Sequence, residues 1–95
     1  MISFTVRLRF SPDDHAEVRS LLQNLGEASR REPGCVNYIT HFVENDSATV
    51  VIYEQYQDAD ALEAHRASQH FEDYATNGLY RKVRERTLEQ LAEVR

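Results

Sequence analysis

The sequence contains no tryptophan, a single cysteine, two prolines and three glycines among its 95 residues. One cysteine, Cys35, rules out an internal disulfide framework, and the expected compartment is the reducing cytoplasm. Scarce proline and glycine leave no linker, repeat or low-complexity tract. No apolar run approaches the roughly 18 residues of a membrane-spanning helix. The opening Met1-Ile2-Ser3-Phe4 lacks the basic flank and cleavage site of a secretion signal, so none is expected. Positive charge is also short: 11 Lys and Arg against 16 Asp and Glu give −5. An acidic balance argues against a nucleic-acid partner and against an anionic membrane surface.

What is present fits one small domain, residues 1–95. A chain of this size buries only roughly 60–65% of its unfolded surface. It holds a modest core, and a closed substrate cavity asks for a second copy to supply one wall. Residues 2–10 alternate strictly, with Ile2, Phe4, Val6, Leu8 and Phe10 apolar, which predicts a strand with one apolar face. Ser11 and Pro12 offer an N-cap and a first helical position. Val18, Leu21, Leu22, Leu25 and Ala28 then predict a helix over roughly 12–31, stopped by Glu32-Pro33-Gly34. Strands are predicted from Cys35 to about Glu44 and over about Ala48–Tyr56, joined at Asn45-Asp46-Ser47 into an antiparallel hairpin. Apolar residues of both parities in this hairpin predict two covered faces. Helices can cover one, so the other predicts a homodimer packed sheet against sheet.

Asp58 is placed to cap a helix through about Arg66, and Ser68 a second one through about Tyr74, with a break at Asn77-Gly78. Residues 79–95 are locally ambiguous, since Leu88, Leu91 and Ala92 follow helical spacing. The order strand–helix–strand–strand–helix nevertheless predicts a closing strand over about 86–94. That makes the fold class α+β, a ferredoxin-like split βαβ with an antiparallel sheet.

Three segments then resemble a known family. They are Glu32-Pro33-Gly34-Cys35-Val36-Asn37-Tyr38, the strand end Tyr53-Glu54-Gln55-Tyr56, and the block from Ala61-Leu62 through His65 to His70-Phe71. Over about residues 2–75 the chain resembles the antibiotic biosynthesis monooxygenase domain, in its quinol-monooxygenase-like branch. The resemblance implies a dimeric α+β barrel with a pocket between sheet and helices. It implies a cofactor-independent monooxygenase that needs no flavin, metal or haem, the deprotonated substrate itself donating electrons to O2. Its partners would be a small aromatic quinol or polyketide-like substrate, O2 and a second copy. The haem-degrading branch carries an Asn, a Trp and a His where Val6, Tyr56 and roughly Ala75 stand here, so haem degradation is not expected.

His65 and His70 are the expected catalytic pair. Imidazole titrates near neutrality and can take a phenolic proton. A spacing of five does not place both on one helix face, but a break near Ser68 redirects them. No Cys or Glu stands at metal-ligand spacing, so no metal site is expected. Tyr56, Tyr38, Phe71 and Asn37 are the expected substrate contacts. Glu54, within an apolar strand, needs a partner, and the expected one is Arg7 or Arg9 on the neighbouring strand, with positioning of a histidine as the alternative. Cys35 reads as a small hydrophobe. His15, His41 and the basic group Arg81, Lys82, Arg84, Arg86 read as surface or packing residues. Two other functions suit the same residues: an isomerase or degrader of a small carbonyl metabolite, and a ligand-binding dimer without turnover.

Overall fold

The computed structural model describes all of residues 1–95. β1 (Ile2–Arg9) leads through a 3₁₀ turn at Pro12–Asp14 into α1 (His15–Arg30). β2 (Cys35–Phe42) and β3 (Thr49–Tyr56) follow, then α2 (Ala59–Arg66). A π-helix, Phe71–Leu79, runs on into α3 (Tyr80–Lys82), and β4 (Glu85–Leu91) closes the chain. The sheet has four strands in the order β2-β3-β1-β4, and every neighbouring pair is antiparallel. This is the expected α+β ferredoxin-like fold.

Local chemistry accounts for the boundaries. The Ser11 hydroxyl accepts from Asp13 N and Pro12 starts the turn, so helical structure begins where the cap sits. Asp58 accepts from Ala61 N and opens α2. Gly34 is required by packing, since a Cβ there would overlap Ala61 of α2. The alternation of β1 puts Phe4, Val6 and Leu8 on the helix side, where they join Val18, Leu22 and Leu25 of α1 and Val50 and Ile52 of β3 in one core.

Two sequence expectations change. Asn77-Gly78 is not a break, because helical structure continues to Lys82. Gly78 instead permits close approach to α1: a Cβ would sit 2.8 Å from Leu21 Cδ2. The tail is a strand, as the element order predicts, but it ends at Leu91 rather than near 94. Its helical propensity yields to the open edge of β1, which pairs residue by residue from Arg9↔Glu85 to Ser3↔Leu91. An isolated helix of this length would lack that ladder and the packing it brings.

The second sheet face has no helix over it. In register, Thr5, Tyr53, Ile39 and Glu89 stand side by side there, and Ile39 and Leu91 are 46% and 41% exposed. No helix is long and apolar enough to cross a membrane.

Candidate active site

His65 stands in the last turn of α2 and packs beneath the sheet, with only 2% of its surface exposed. It lies among rings: the centroids of Tyr56 and Phe71 are 5.2 Å away and that of Tyr38 is 5.5 Å away. Its Nδ1 is 2.8 Å from Glu32 Oε2. His70 reaches the same oxygen, its Nε2 at 2.5 Å. Ser68 makes this convergence possible. Its hydroxyl donates to His65 O and accepts from Phe71 N, at the break between α2 and the next helical segment. Two histidines five residues apart thus meet through a carboxylate that precedes them by more than thirty residues.

A carboxylate oxygen accepts, so His65 donates from Nδ1 and carries its lone pair on Nε2. That nitrogen faces Glu54 Oε1 at 3.7 Å. Glu54 in turn accepts from the Tyr56 hydroxyl at 2.6 Å. Burial pushes the Glu54 carboxyl up to about 7, against the Tyr56 hydrogen bond and the Arg66 charge, which lower it. Burial likewise lowers the His65 pKa below its ordinary value, overriding the Glu32 hydrogen bond that raises it. Near neutrality the imidazole is therefore an uncharged base beside a carboxyl that is partly protonated.

His65 and Glu54 line one wall of a cavity of about 410 Å³, a volume suited to a small organic molecule. Phe4 and Val6 of β1 and Leu88 of β4 form its apolar floor, Phe71 and Tyr80 its helical side. Arg66 and Arg86 complete it. Glu32 and His70 lie on the far side of the His65 ring from this space, and His70, half-buried, connects the pair toward solvent.

Of the residues singled out by sequence, His65, His70, Tyr56, Tyr38 and Phe71 come together here. Tyr38 and Tyr56 are buried behind His65 rather than lining the cavity, and Tyr56 acts on Glu54. Asn37 is not brought to this group: its side chain donates to Gln55 Oε1 on the helix-free face. Glu54 does not pair with Arg7 or Arg9. It stands opposite Phe4 on the helix side, whereas Arg7 and Arg9 point to the other face, and Arg9 bonds Glu85 at 2.9 Å. The alternative, Glu54 beside a histidine, is what the sheet register produces. Cys35 is half-buried, and burial with the Glu32 and Glu54 charges pushes its thiol up to about 11, unlike an activated nucleophile. His15 and His41 bond the backbone oxygens of Ser47 and Val51, away from the cavity.

Glu32, Arg66 and Arg86 were not among the expected site residues. Glu32 stands in the Glu-Pro-Gly-Cys turn, a signal of local structure, and only the sheet brings it beneath α2. It also changes the metal reading, because linear spacing hid a carboxylate that joins the histidines. The donor atoms of Glu32, His65 and His70 lie within 4.8 Å of one another. They could supply three ligands, one short of a closed structural zinc site.

The antibiotic biosynthesis monooxygenase family model matches residues 1–77. The Mycobacterium tuberculosis protein Rv0793 is 30% identical over 73 residues, which cover 77% of this chain and 71% of that protein. The solved structure of Rv0793 aligns with a TM-score of 0.87 at 25% identity, over 99% of this chain and 95% of that one. PA3566 from Pseudomonas aeruginosa aligns at 0.90 with 26% identity, over 99% and 94%. A crystal structure titled antibiotic biosynthesis monooxygenase aligns at 0.92 with 25% identity, over 100% of both chains.

Proposed function

The chain belongs to the antibiotic biosynthesis monooxygenase family, and from that premise we propose that it is a cofactor-independent monooxygenase of a small aromatic quinol, working as a homodimer. The observation that carries this reading is the Glu32–His65 pair, with the free Nε2 directed at a cavity floored by Phe4, Val6 and Leu88.

The quinol lies in the cavity with its ring against Phe71 and the Phe4–Val6 floor. His65 Nε2 takes one phenolic proton, which is the step that makes the ring electron-rich enough to reduce O2. Glu32 stabilises the resulting imidazolium through Nδ1 and holds the ring in place, the role an orienting carboxylate has beside any histidine base. His70 donates to the same carboxylate and keeps it aligned. Protonated Glu54, anchored by Tyr56, donates a hydrogen bond to the second quinol oxygen. The quinolate passes electrons to O2, one oxygen atom bonds to ring carbon and the other leaves as water. Quinol plus O2 thus becomes hydroxyquinone plus water, with atoms and electrons balanced. A second copy over the helix-free face holds the sheet, and with it the cavity floor, in shape.

Oxygen uptake by metal-stripped protein with reduced naphthoquinols, corrected for autoxidation, tests the proposal. Uptake that disappears in His65→Gln supports it, and no uptake above background with either neutral or carboxylate-bearing quinols rejects it. The side-by-side base and acid, 3.7 Å apart, favour one second reading: proton shuffling on a carbonyl metabolite, which would persist without O2.

A further inference from the structure

The cavity has a charge at odds with the molecule around it. The chain carries −5, yet two guanidinium groups, Arg66 at the end of α2 and Arg86 on β4, line this one space. Neither has a carboxylate within 4.0 Å, as is also true of Arg7, Arg19, Arg30, Arg81 and Arg84; Arg66 and Arg86 differ from those in bordering the cavity that His65 lines. Arg86 is held against the cavity wall by the Tyr80 ring, its guanidinium carbon 4.5 Å from the centroid. Tyr80 is itself fixed edge-on to Phe71 at 5.9 Å. Both cations act on the Tyr80 hydroxyl, and the Arg66 charge extends to His65 and Glu54. Glu54 is the cavity's single carboxyl, one acidic group against two guanidinium groups.

A slot with an apolar floor, bordered by two guanidinium groups without an ion-pair partner, suits a flat ring that bears a negative charge. We propose that the substrate of this cavity is an anionic aromatic compound, and that Arg66 and Arg86 bind its anionic group while the ring lies against Phe71 and Val6. The inference rests on reading the cavity as the substrate site, though not on the chemistry performed there. Neutral quinols would then be poor surrogates, entering the slot without engaging either cation.

Equilibrium binding separates this inference from the oxygenase reading. The probes are naphthoate and its neutral isostere naphthamide, neither of which reacts with O2, titrated into the intact protein by calorimetry. Naphthoate is expected to bind about tenfold or more tightly than naphthamide. Arg66→Gln and Arg86→Gln should each shrink that ratio while leaving naphthamide affinity unchanged. Arg86→Lys keeps a charge and should retain part of the preference, and Arg84→Gln, outside the cavity, should retain all of it. Unchanged thermal melting in the variants excludes misfolding as the cause. Equal affinity for the two probes overturns the proposal. So does a preference that survives in the Arg66→Gln/Arg86→Gln double variant, or failure of both probes to bind at millimolar concentration. Oxygen uptake with no anion preference would leave the oxygenase reading standing and remove this one. An anion preference without oxygen uptake would do the reverse.

Discussion

Glu32 Oε2 lies 2.8 Å from His65 Nδ1, across 33 residues of sequence. The carboxylate sits in the turn after α1 and the imidazole in the last turn of α2, so the bond ties together the two connections that leave the open end of the β2–β3 hairpin, where Cys35 pairs with Tyr56. Its chemical effect is to leave Nε2 as the free base. His65→Gln is therefore expected to lower kcat by about 10²–10⁴-fold, the range for loss of a positioned acid–base group. Glu32→Gln should lower kcat with little change in KM, since it removes the charge that favours the imidazolium and touches no substrate. Steady-state oxygen uptake on both variants checks this split.

The pH profile should be bell-shaped. His65 must be neutral to act, and burial lowers its pKa from 6.5, so the acid limb falls below 6.5. Glu54 must be protonated to donate, and its carboxyl titrates near 7, so the alkaline limb begins there. Glu54→Gln, which donates at any pH, should remove the alkaline limb and leave the acid one. A profile unchanged in that variant would assign the alkaline limb elsewhere.

Tyr56→Phe tests the hydroxyl that holds Glu54. The Tyr56 hydrogen bond lowers the Glu54 pKa, so its removal should move the alkaline limb upward. The lost buried bond should also cost about 1–3 kcal/mol of stability, read by urea unfolding.

Stability should follow pH through the same two groups with opposite signs. Folded Glu54 holds its proton up to about 7 against an ordinary 4.5. The folded state therefore binds more protons than the unfolded one between those values, and stability falls as pH rises through them. Folded His65 protonates below its ordinary 6.5, so its contribution is full above 6.5 and is lost as pH falls through the lowered value. Glu54→Gln should abolish the first trend and keep the second, in melting curves recorded across the range.

Gly34→Ala is expected to destabilise the fold by about 1–3 kcal/mol, the usual cost of overpacking, because the new methyl overlaps Ala61. As α2 shifts, His65 leaves its place over the cavity, so activity should fall more than stability alone explains. Ile39→Asp, on the helix-free face, should instead leave the monomer fold intact and shift the protein from dimer to monomer in light scattering.

Element types were legible because they rest on local physics. Period-two alternation placed β1, Ser11 and Asp58 capped their helices, and the Asn45-Asp46 turn joined β2 to β3. Sequence order then favoured a closing strand against the helical spacing of Leu88 and Leu91. The histidines and the aromatic residues around them were legible as a group, because they all fall in the segments that resemble the family. Partnership was not. Glu54 could be assigned to Arg7, Arg9 or a histidine until the β1–β3 register put Phe4 opposite it and turned both arginines to the other face. Glu32 stood in a family-like segment but nothing local tied it to the histidines, and Arg66 and Arg86 carry no local signal of a site, because a charged residue at a helix end or on an edge strand is ordinarily a solvated one. The sequence by itself determined the elements, their order and the titratable groups available. Tertiary structure alone decided which carboxylate orients His65, which one faces it and which cations border the cavity, because those relations are set by register and packing between segments far apart in the chain.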